Sequence, residues 1–392
     1  MMKKILLFQH FDTCNNIFNY LTEMIKIEFS RRNIFYETIN LLQSPDILKK
    51  NIEDTLIKGF DAALSFNTVG QHNILDDNGI SIFDKYEVPF FNWIMDSPID
   101  LAGGWSSNCK NLYFLCMDRN HVDYIKQNFN HAKDAFFLPL PGIESVFLPK
   151  YEDREYDVSF CGKIKTSNSI YDKVKSYPEY YRLFTFEMID YMMSDSDVDM
   201  IEAFENISKK YWGYNSFPED DIENIRICAS MANMFMRYYN RERVLKILAN
   251  SKINLHLFGN NNEQILGHGA GCVTFHDGVT FAETVNIFSN SKIVLNVMPC
   301  FKNGTHDRIA SGMLNKSIVL TDRSKYIDEL PADIMCRYNI DFPNEIPDII
   351  YNILTNVNKY SDIPDNGYRF AKEHYSIEII IEHLLNIMES IR

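Results

Sequence analysis

Short apolar runs alternate with longer amphipathic segments along most of this chain, and that alternation restricts its fold more than any other feature. In the first third, Ile5–Phe8, Ile34–Ile39, Ala62–Phe66, Pro89–Ile94 and Leu112–Cys116 read as strands, and Ile17–Arg31, Ile47–Lys58 and His121–Asn128 as helices. Strands joined through helices need right-handed crossovers, which build a parallel sheet covered on both faces. A doubly wound α/β domain over residues 1–150 is therefore expected. Ala135–Leu140 then runs into Pro139 and Pro141-Gly142, punctuation that suits a chain leaving a domain.

A second α/β pattern fills residues 151–375. Tyr156–Cys161 is its first strand, and Ile253–Phe258, Val273–Phe275, Ile293–Val297 and Ile318–Thr321 continue it. Between the first two of these, residues 168–248 carry helical periodicity with Tyr and Met at many apolar positions, which predicts a helical insertion. Ile346–Asn356 and Ile377–Ser390 read as late helices. A chain of 392 residues suits two such domains. If they face one another, a cleft lies between the carboxyl ends of their strands, where ligands of doubly wound folds bind.

Charge narrows the function. With 39 basic and 53 acidic residues the formal net charge is −14, a field that repels nucleic-acid backbones and anionic lipid. The eight cysteines, at 14, 109, 116, 161, 228, 272, 300 and 336, include no C-x-x-C pair, which argues against a zinc knuckle, a redox pair or a disulfide framework. A reducing, cytoplasmic setting fits that usage. The amino-terminal MMKKILLFQHFD is broken by Gln9, His10 and Asp12 and reads as a buried strand rather than a signal peptide. No apolar stretch approaches the roughly 18 residues of a membrane span.

The densest polar cluster, Asn303-Gly304-Thr305-His306-Asp307-Arg308, lies between a strand and an apolar helix. A glycine and a hydroxyl at such a turn can offer backbone N–H groups to an anion, and Arg308 can add a bidentate fork to phosphate oxygens. The competing reading is a helix cap built on Thr305 or Asp307, with Arg308 in a solvated ion pair. Gly162-Lys163 and Gly259-Asn260 each follow a strand, where a glycine allows close backbone approach by a ligand and Lys163 adds a mobile cation; ordinary turn chemistry explains them equally. In the first domain Asp96 follows the strand ending at Ile94 and is a candidate base, with Asp118-Arg119 in a matching place; helix caps and turn formers explain these residues at least as well. The acidic stretch Asp195-Ser-Asp197-Val-Asp199 has D-x-D spacing but reads as solvated surface, so no metal is assigned. GHGAG at 267–271 reads as a loop. Walker, G-x-G-x-x-G, H-E-x-x-H and G-x-S-x-G patterns are all missing from the sequence, which disfavours nucleotide hydrolysis, dinucleotide redox chemistry, zinc proteolysis and serine hydrolysis.

Taken together, NVMPCFKNGTHDRIASGMLNKSIVLTD at 296–322, LSFNTVG at 64–70, FFNWIMDSP at 90–98, YFLCMDRNHVDYIK at 113–126, FLPLPGIES at 137–145 and YDVSFCGK at 156–163 resemble the bacterial glycosyltransferase-like family typified by the spore-maturation protein CgeB, a branch of the GT-B superfamily. The resemblance implies two facing Rossmann-like domains, with a nucleotide-diphosphate sugar bound by the carboxyl-terminal one and an acceptor by the amino-terminal one. The final helix, within 376–392, would cross back onto the first domain. By position, Gly162, Lys163, Gly259, Asn260, Gly304, Thr305 and Arg308 would bind the donor, while Asp96, His306 and Asp307 would take part in catalysis. No cofactor beyond the donor substrate is implied, and no metal is required if Lys163, Arg308 and a helix N-terminus neutralise the departing diphosphate. In one respect the sequence departs from the superfamily: many retaining relatives carry two glutamates eight positions apart, and here those places hold Asn303 and Ser311.

The leading expectation is thus a cytoplasmic, metal-independent glycosyltransferase acting on an unidentified protein, glycan or small-molecule acceptor. The missing glutamates motivate the alternative of a non-catalytic binding or assembly component of a cell-surface or spore layer. A nucleotide-sugar epimerase is the third reading.

Overall fold

The structure is a computed structural model that describes residues 2–9, 16–67, 74–101, 107–213, 221–259, 266, 272–298 and 301–391. The chain divides into two compact units, Met1–Leu140 with Ile377–Arg392, and Pro141–Ser376.

In the first unit the strands are β1 (Lys4–Gln9), β2 (Phe35–Asn40), β3 (Ala62–Phe66), β4 (Phe90–Ile94), β5 (Leu112–Cys116) and β6 (Asp134–Phe137). They pair in parallel in the order β2-β1-β3-β4-β5-β6. Every residue of β3, β4 and β5 is buried, as a strand covered on both faces requires, which is why AALSF, FFNWI and LYFLC read as largely apolar runs, with Ser65 and Asn92 the polar residues buried within them. The helix Ile17–Arg31 turns Phe18, Leu21, Ile25 and Phe29 inward at helical spacing. Phe66 stacks on Trp93 at 5.4 Å between centroids, and the Trp93 indole N–H donates to the Leu138 carbonyl at 3.1 Å. The last helix, Ile377–Ser390, belongs to this unit. It buries Ile380, Ile381, Leu384 and Met388, and Arg32 donates to its Glu378 carbonyl at 2.8 Å.

The second unit contains β7 (Tyr156–Cys161), β8 (Leu255–Phe258), β9 (Val273–His276), β10 (Ser291–Asn296), β11 (Ile318–Asp322) and β12 (Cys336–Tyr338). All pair in parallel, in the order β12-β11-β10-β7-β8-β9. That is the doubly wound order in which the first and fourth strands lie side by side, so the winding reverses between β7 and β10. Among the described residues, the crossover from β7 to β8 carries four helices, Ser167–Lys175, Glu179–Ser194, Met200–Trp212 and Ile222–Ala249. The last of them is both the end of this helical stretch and the crossover helix, because its final turns bury Val244, Leu245, Leu248 and Ala249 against Val158, Leu255 and Leu257.

Two details differ from the sequence reading. Before the first unit ends at Leu140, Asp134–Phe137 forms beside β5 a sixth strand that the sequence reading did not assign. Its four residues are too few, and too half-buried, to stand out from the prolines that follow. In the second sheet, β12 has three residues and no apolar run of its own.

Candidate functional site

The switch point of the second sheet gathers most of the polar residues singled out in the sequence. β7 ends in Phe160-Cys161 and hands over to Gly162-Lys163, while β10 beside it ends in Asn296 and leads through residues 301–306 into the helix Asp307–Leu314. All eight residues of that helix are buried, and Gly312 permits it: a Cβ there would lie 2.7 Å from Val319 Cγ2 on β11.

Arg308 leaves the first turn of this helix and turns inward. It is 6% exposed, donates through Nη1 to the buried Asn296 Oδ1, and places its guanidinium carbon 5.5 Å from the centre of the Phe160 ring. A Cβ on Gly162 would sit 3.7 Å from its Nη2 and 3.2 Å from the Phe160 ring, so the missing side chain keeps the strand end open beside the cation. Asn296 in turn donates to Thr321 Oγ1 at 2.9 Å, and the Tyr338 phenol donates to the Asn296 carbonyl at 2.9 Å. Burial lowers the Arg308 pKa, opposed by Asp307 and Asp322; burial raises that of Asp322, whose carboxylate accepts the Met298 N–H at 2.8 Å.

The cap of the helix is His306, rather than Thr305 or Asp307, and Arg308 is buried rather than solvated. His306 Nδ1 lies 3.2 Å from the Arg308 N–H and 2.8 Å from Asp307 Oδ1. One nitrogen cannot accept from the first and donate to the second at once. Burial works to raise the Asp307 carboxyl, but His306 and Arg308 outweigh it and hold the group below its ordinary value, hence ionised. An ionised Asp307 selects the tautomer with Nδ1–H on the carboxylate and the lone pair on Nε2. Burial also depresses the His306 pKa, with Arg308 and Arg241 adding to the effect against Asp307. The imidazole is therefore neutral near pH 7, oriented by a carboxylate and able to accept a proton at Nε2. Because Asp307 already supplies a negative charge in the first turn, the positive end of this helix is compensated within the chain. The nearby cations are what remain for an anionic ligand.

The other predicted positions fall as follows. Gly304 and Thr305 are buried; Thr305 is 2% exposed, and its hydroxyl has no partner among the described residues. Lys163 is exposed, and its side chain has no bonded partner among the described residues. Gly259 has φ +143°, and a Cβ there would meet the Gly162 carbonyl oxygen at 2.6 Å, so this glycine seats the Gly162-Lys163 backbone. Asn260 and the run 267–271 lie outside the described residues. Asp96 belongs to the first unit, past the end of β4, where it accepts the Asn67 amide at 2.8 Å. Asp118 caps the helix Arg119–Asn128 through the Asn120 N–H at 2.8 Å. Asp195 and Asp199 accept backbone N–H groups of Asp197 and Glu202, and no cluster of three metal-ligating side chains occurs among the described residues. Among those residues, no helix is long and apolar enough to cross a membrane.

Sequence reasoning missed Arg241. It projects from the helix Ile222–Ala249, donates to the Lys163 carbonyl at 3.2 Å, and holds its guanidinium carbon 5.8 Å from the Phe160 ring centre. The run RYYNRER at 237–243 was its only signal, and helical periodicity alone does not tell which face of a helix meets a site. Asn303 is buried at 6% exposure, and the Ser311 hydroxyl, 1% exposed, accepts the Ile143 N–H at 3.1 Å.

No family model matches the chain, and no curated protein matches it in sequence. Solved structures do resemble it. HepE from Anabaena in complex with UDP-glucose aligns with a TM-score of 0.56 at 11% identity, covering 100% of each chain. An alpha-glucosyltransferase in complex with UDP and a 13-mer DNA containing an HMU base gives 0.56 at 10%, over 99% of this chain and 100% of that one. Sucrose-phosphate synthase from Thermosynechococcus elongatus gives 0.54 at 8%, over 99% of each. These are GT-B glycosyltransferases, and the chain shares their fold of two Rossmann-like domains.

Proposed function

We propose that this protein is a glycosyltransferase that moves a sugar from a nucleotide-diphosphate donor to an acceptor hydroxyl. The observation that carries the reading is the convergence of Gly162-Lys163, Arg308 and the His306–Asp307 pair at the switch point of the second sheet, the place where this fold class binds its ligands. The fold likeness supports it, since HepE and the alpha-glucosyltransferase were solved with UDP-glucose and with UDP. The motif resemblance to the CgeB-like branch points the same way.

In this reading the acceptor hydroxyl attacks the anomeric carbon. The bond from that carbon to the phosphate oxygen breaks, and its electron pair leaves with the nucleoside diphosphate. Lys163 and Arg308 stabilise the charge that develops there. Gly304 and Thr305 line the same turn, with the Thr305 hydroxyl as a donor to a phosphate or sugar oxygen. Asp96 takes the acceptor proton, and His306, held by Asp307, bonds the transferred sugar. With two cations at the diphosphate the reaction needs no metal. We also assign the protein to the cytoplasm, on its scattered cysteines.

The test is calorimetric titration of the full chain with a panel of nucleoside diphosphates and their sugars, followed by slow hydrolysis of whichever donor binds. Saturable heat with one nucleoside diphosphate and release of its sugar are expected. Silence across the panel would refute the reading.

A further inference from the structure

The amino ends of the second sheet carry a cavity that sugar transfer does not use. It measures about 380 Å³ and lies among the segment Leu148–Arg154, the start of β11 and the helices Ile346–Thr355 and Ile363–His374. Its walls are mostly apolar. Ile318 and Ile353 are buried there, whereas Leu148 and Val357 remain 36% and 47% exposed, open apolar surface that a ligand would cover.

Two polar atoms on its lining, Arg154 Nε and the Tyr151 hydroxyl oxygen, lack partners among the described residues. Arg154 is 5% exposed, and its terminal nitrogens donate to the Ser291 carbonyl at 2.7 Å, the Asn315 carbonyl at 2.9 Å and Ser317 Oγ at 3.0 Å. Its Nε has no acceptor, and no carboxylate pairs with the guanidinium among the described residues. The Tyr151 phenol, whose ring lies 5.8 Å from the Arg154 guanidinium carbon, is likewise buried without a partner. A guanidinium held in the interior without an anion is unfavourable, and so is each donor left without an acceptor. At the mouth, Asp365 is engaged by Lys316 at 2.7 Å, while Lys150 and Glu152 are exposed and offset one another. The uncompensated charge is therefore the buried one.

We propose that this cavity binds a small amphipathic carboxylate, whose oxygens accept from Arg154 Nε and the Tyr151 phenol while its apolar body covers the exposed Leu148 and Val357. The charge excludes a neutral hydrocarbon as the matching ligand, because it would leave both donors unsatisfied. The short Tyr151–Asp153 turn, next to the exposed Leu148, is the element that yields to admit the head group.

Decanoate, decanol and acetate titrated calorimetrically into the full chain test this without any nucleotide sugar. Decanoate should bind saturably at one site, with decanol and acetate each at least tenfold weaker. Tyr151→Phe, which keeps the ring, should weaken decanoate about tenfold, and Val357→Trp, which plugs the exposed rim, should abolish its binding while both variants keep the wild-type melting temperature within a few degrees. Equal affinity for decanol and decanoate, decanoate binding unchanged in either folded variant, or no decanoate binding at all would overturn the proposal.

Discussion

Replacing the two cations at the switch point should give different outcomes, because one is exposed and the other is buried. Lys163→Ala removes an exposed side chain without a bonded partner among the described residues, so stability should change by no more than about 0.5 kcal/mol. If its ammonium meets the donor diphosphate, the loss of a charged hydrogen bond costs about 1.5–3 kcal/mol of binding, a roughly ten- to hundredfold rise in Kd. Arg308→Ala differs. It strips Asn296 Oδ1 of its donor inside the protein, about 1–3 kcal/mol, and removes a side chain packed over Phe160, which adds a comparable loss. At about 2–4 °C per kcal/mol for a domain of this size, a total of about 2–6 kcal/mol should lower the melting temperature by roughly 4–24 °C. Differential scanning calorimetry and nucleoside-diphosphate titration on both variants decide it. The reasoning fails if Arg308→Ala melts with the wild type, and the donor assignment fails if Lys163→Ala binds the nucleotide unchanged.

Gly259→Ala should lower the melting temperature by several degrees and weaken nucleotide binding, since a Cβ 2.6 Å from the Gly162 oxygen must displace backbone and φ +143° adds strain of about 1–3 kcal/mol; calorimetry on the variant with and without nucleotide measures both effects. Asp96→Asn, close in volume, should cut turnover by about a hundredfold or more with donor affinity within twofold of wild type, and unaltered turnover removes Asp96 as base. Acid should destabilise the protein in a defined window. His256, His276 and His306 are all held below their ordinary value, by burial first. With folded-state pKa values depressed, the unfolded chain binds protons sooner, so this contribution is complete above about pH 6.5 and is lost as the pH falls below it through the lowered folded-state values. The lowered carboxyls of Glu242 and Asp307 act only below about pH 4.5. Urea unfolding at several pH values should show the decline, shallower in His256→Gln, and a profile flat from pH 7.5 to 5.5 contradicts it.

Both sheets were legible because a strand covered on both faces is mostly apolar, as Leu112–Cys116 is throughout and Ala62–Phe66 is apart from the buried Ser65. Asp134–Phe137 and Cys336–Tyr338 escaped because short edge strands need no such run. At the site, periodicity placed Gly162 and the turn before Asp307 at strand ends, and the doubly wound order brings those ends together. What periodicity does not carry is direction. Whether Arg308 turns toward solvent or toward Asn296 depends on the gap left by Gly162 and on the Phe160 ring, contacts far apart in sequence. Arg241 is hidden for the same reason, a single residue in a helix of 28 whose contact with Lys163 is set by tertiary packing.

The helix Asp307–Leu314 shows how the same few residues serve structure and site together. Its start carries His306, Asp307 and Arg308, while its opposite end holds the segment that opens the second unit: Ser311 Oγ accepts the Ile143 N–H, Asn315 donates to the Ile143 carbonyl at 2.8 Å, and its side-chain oxygen accepts the Ser145 N–H at 2.8 Å. Gly142 can lie on this helix because a Cβ there would stand 2.7 Å from the Ala310 carbonyl carbon. Ser311, which the superfamily pattern would align with a glutamate, is therefore committed to a backbone clasp at 1% exposure, and a carboxylate in its place would be a buried charge. If the proposed donor site is right, a ribose there is held by a group other than Ser311, and the Thr305 hydroxyl, buried and without a partner among the described residues, is one group at the same turn with a bond still to make.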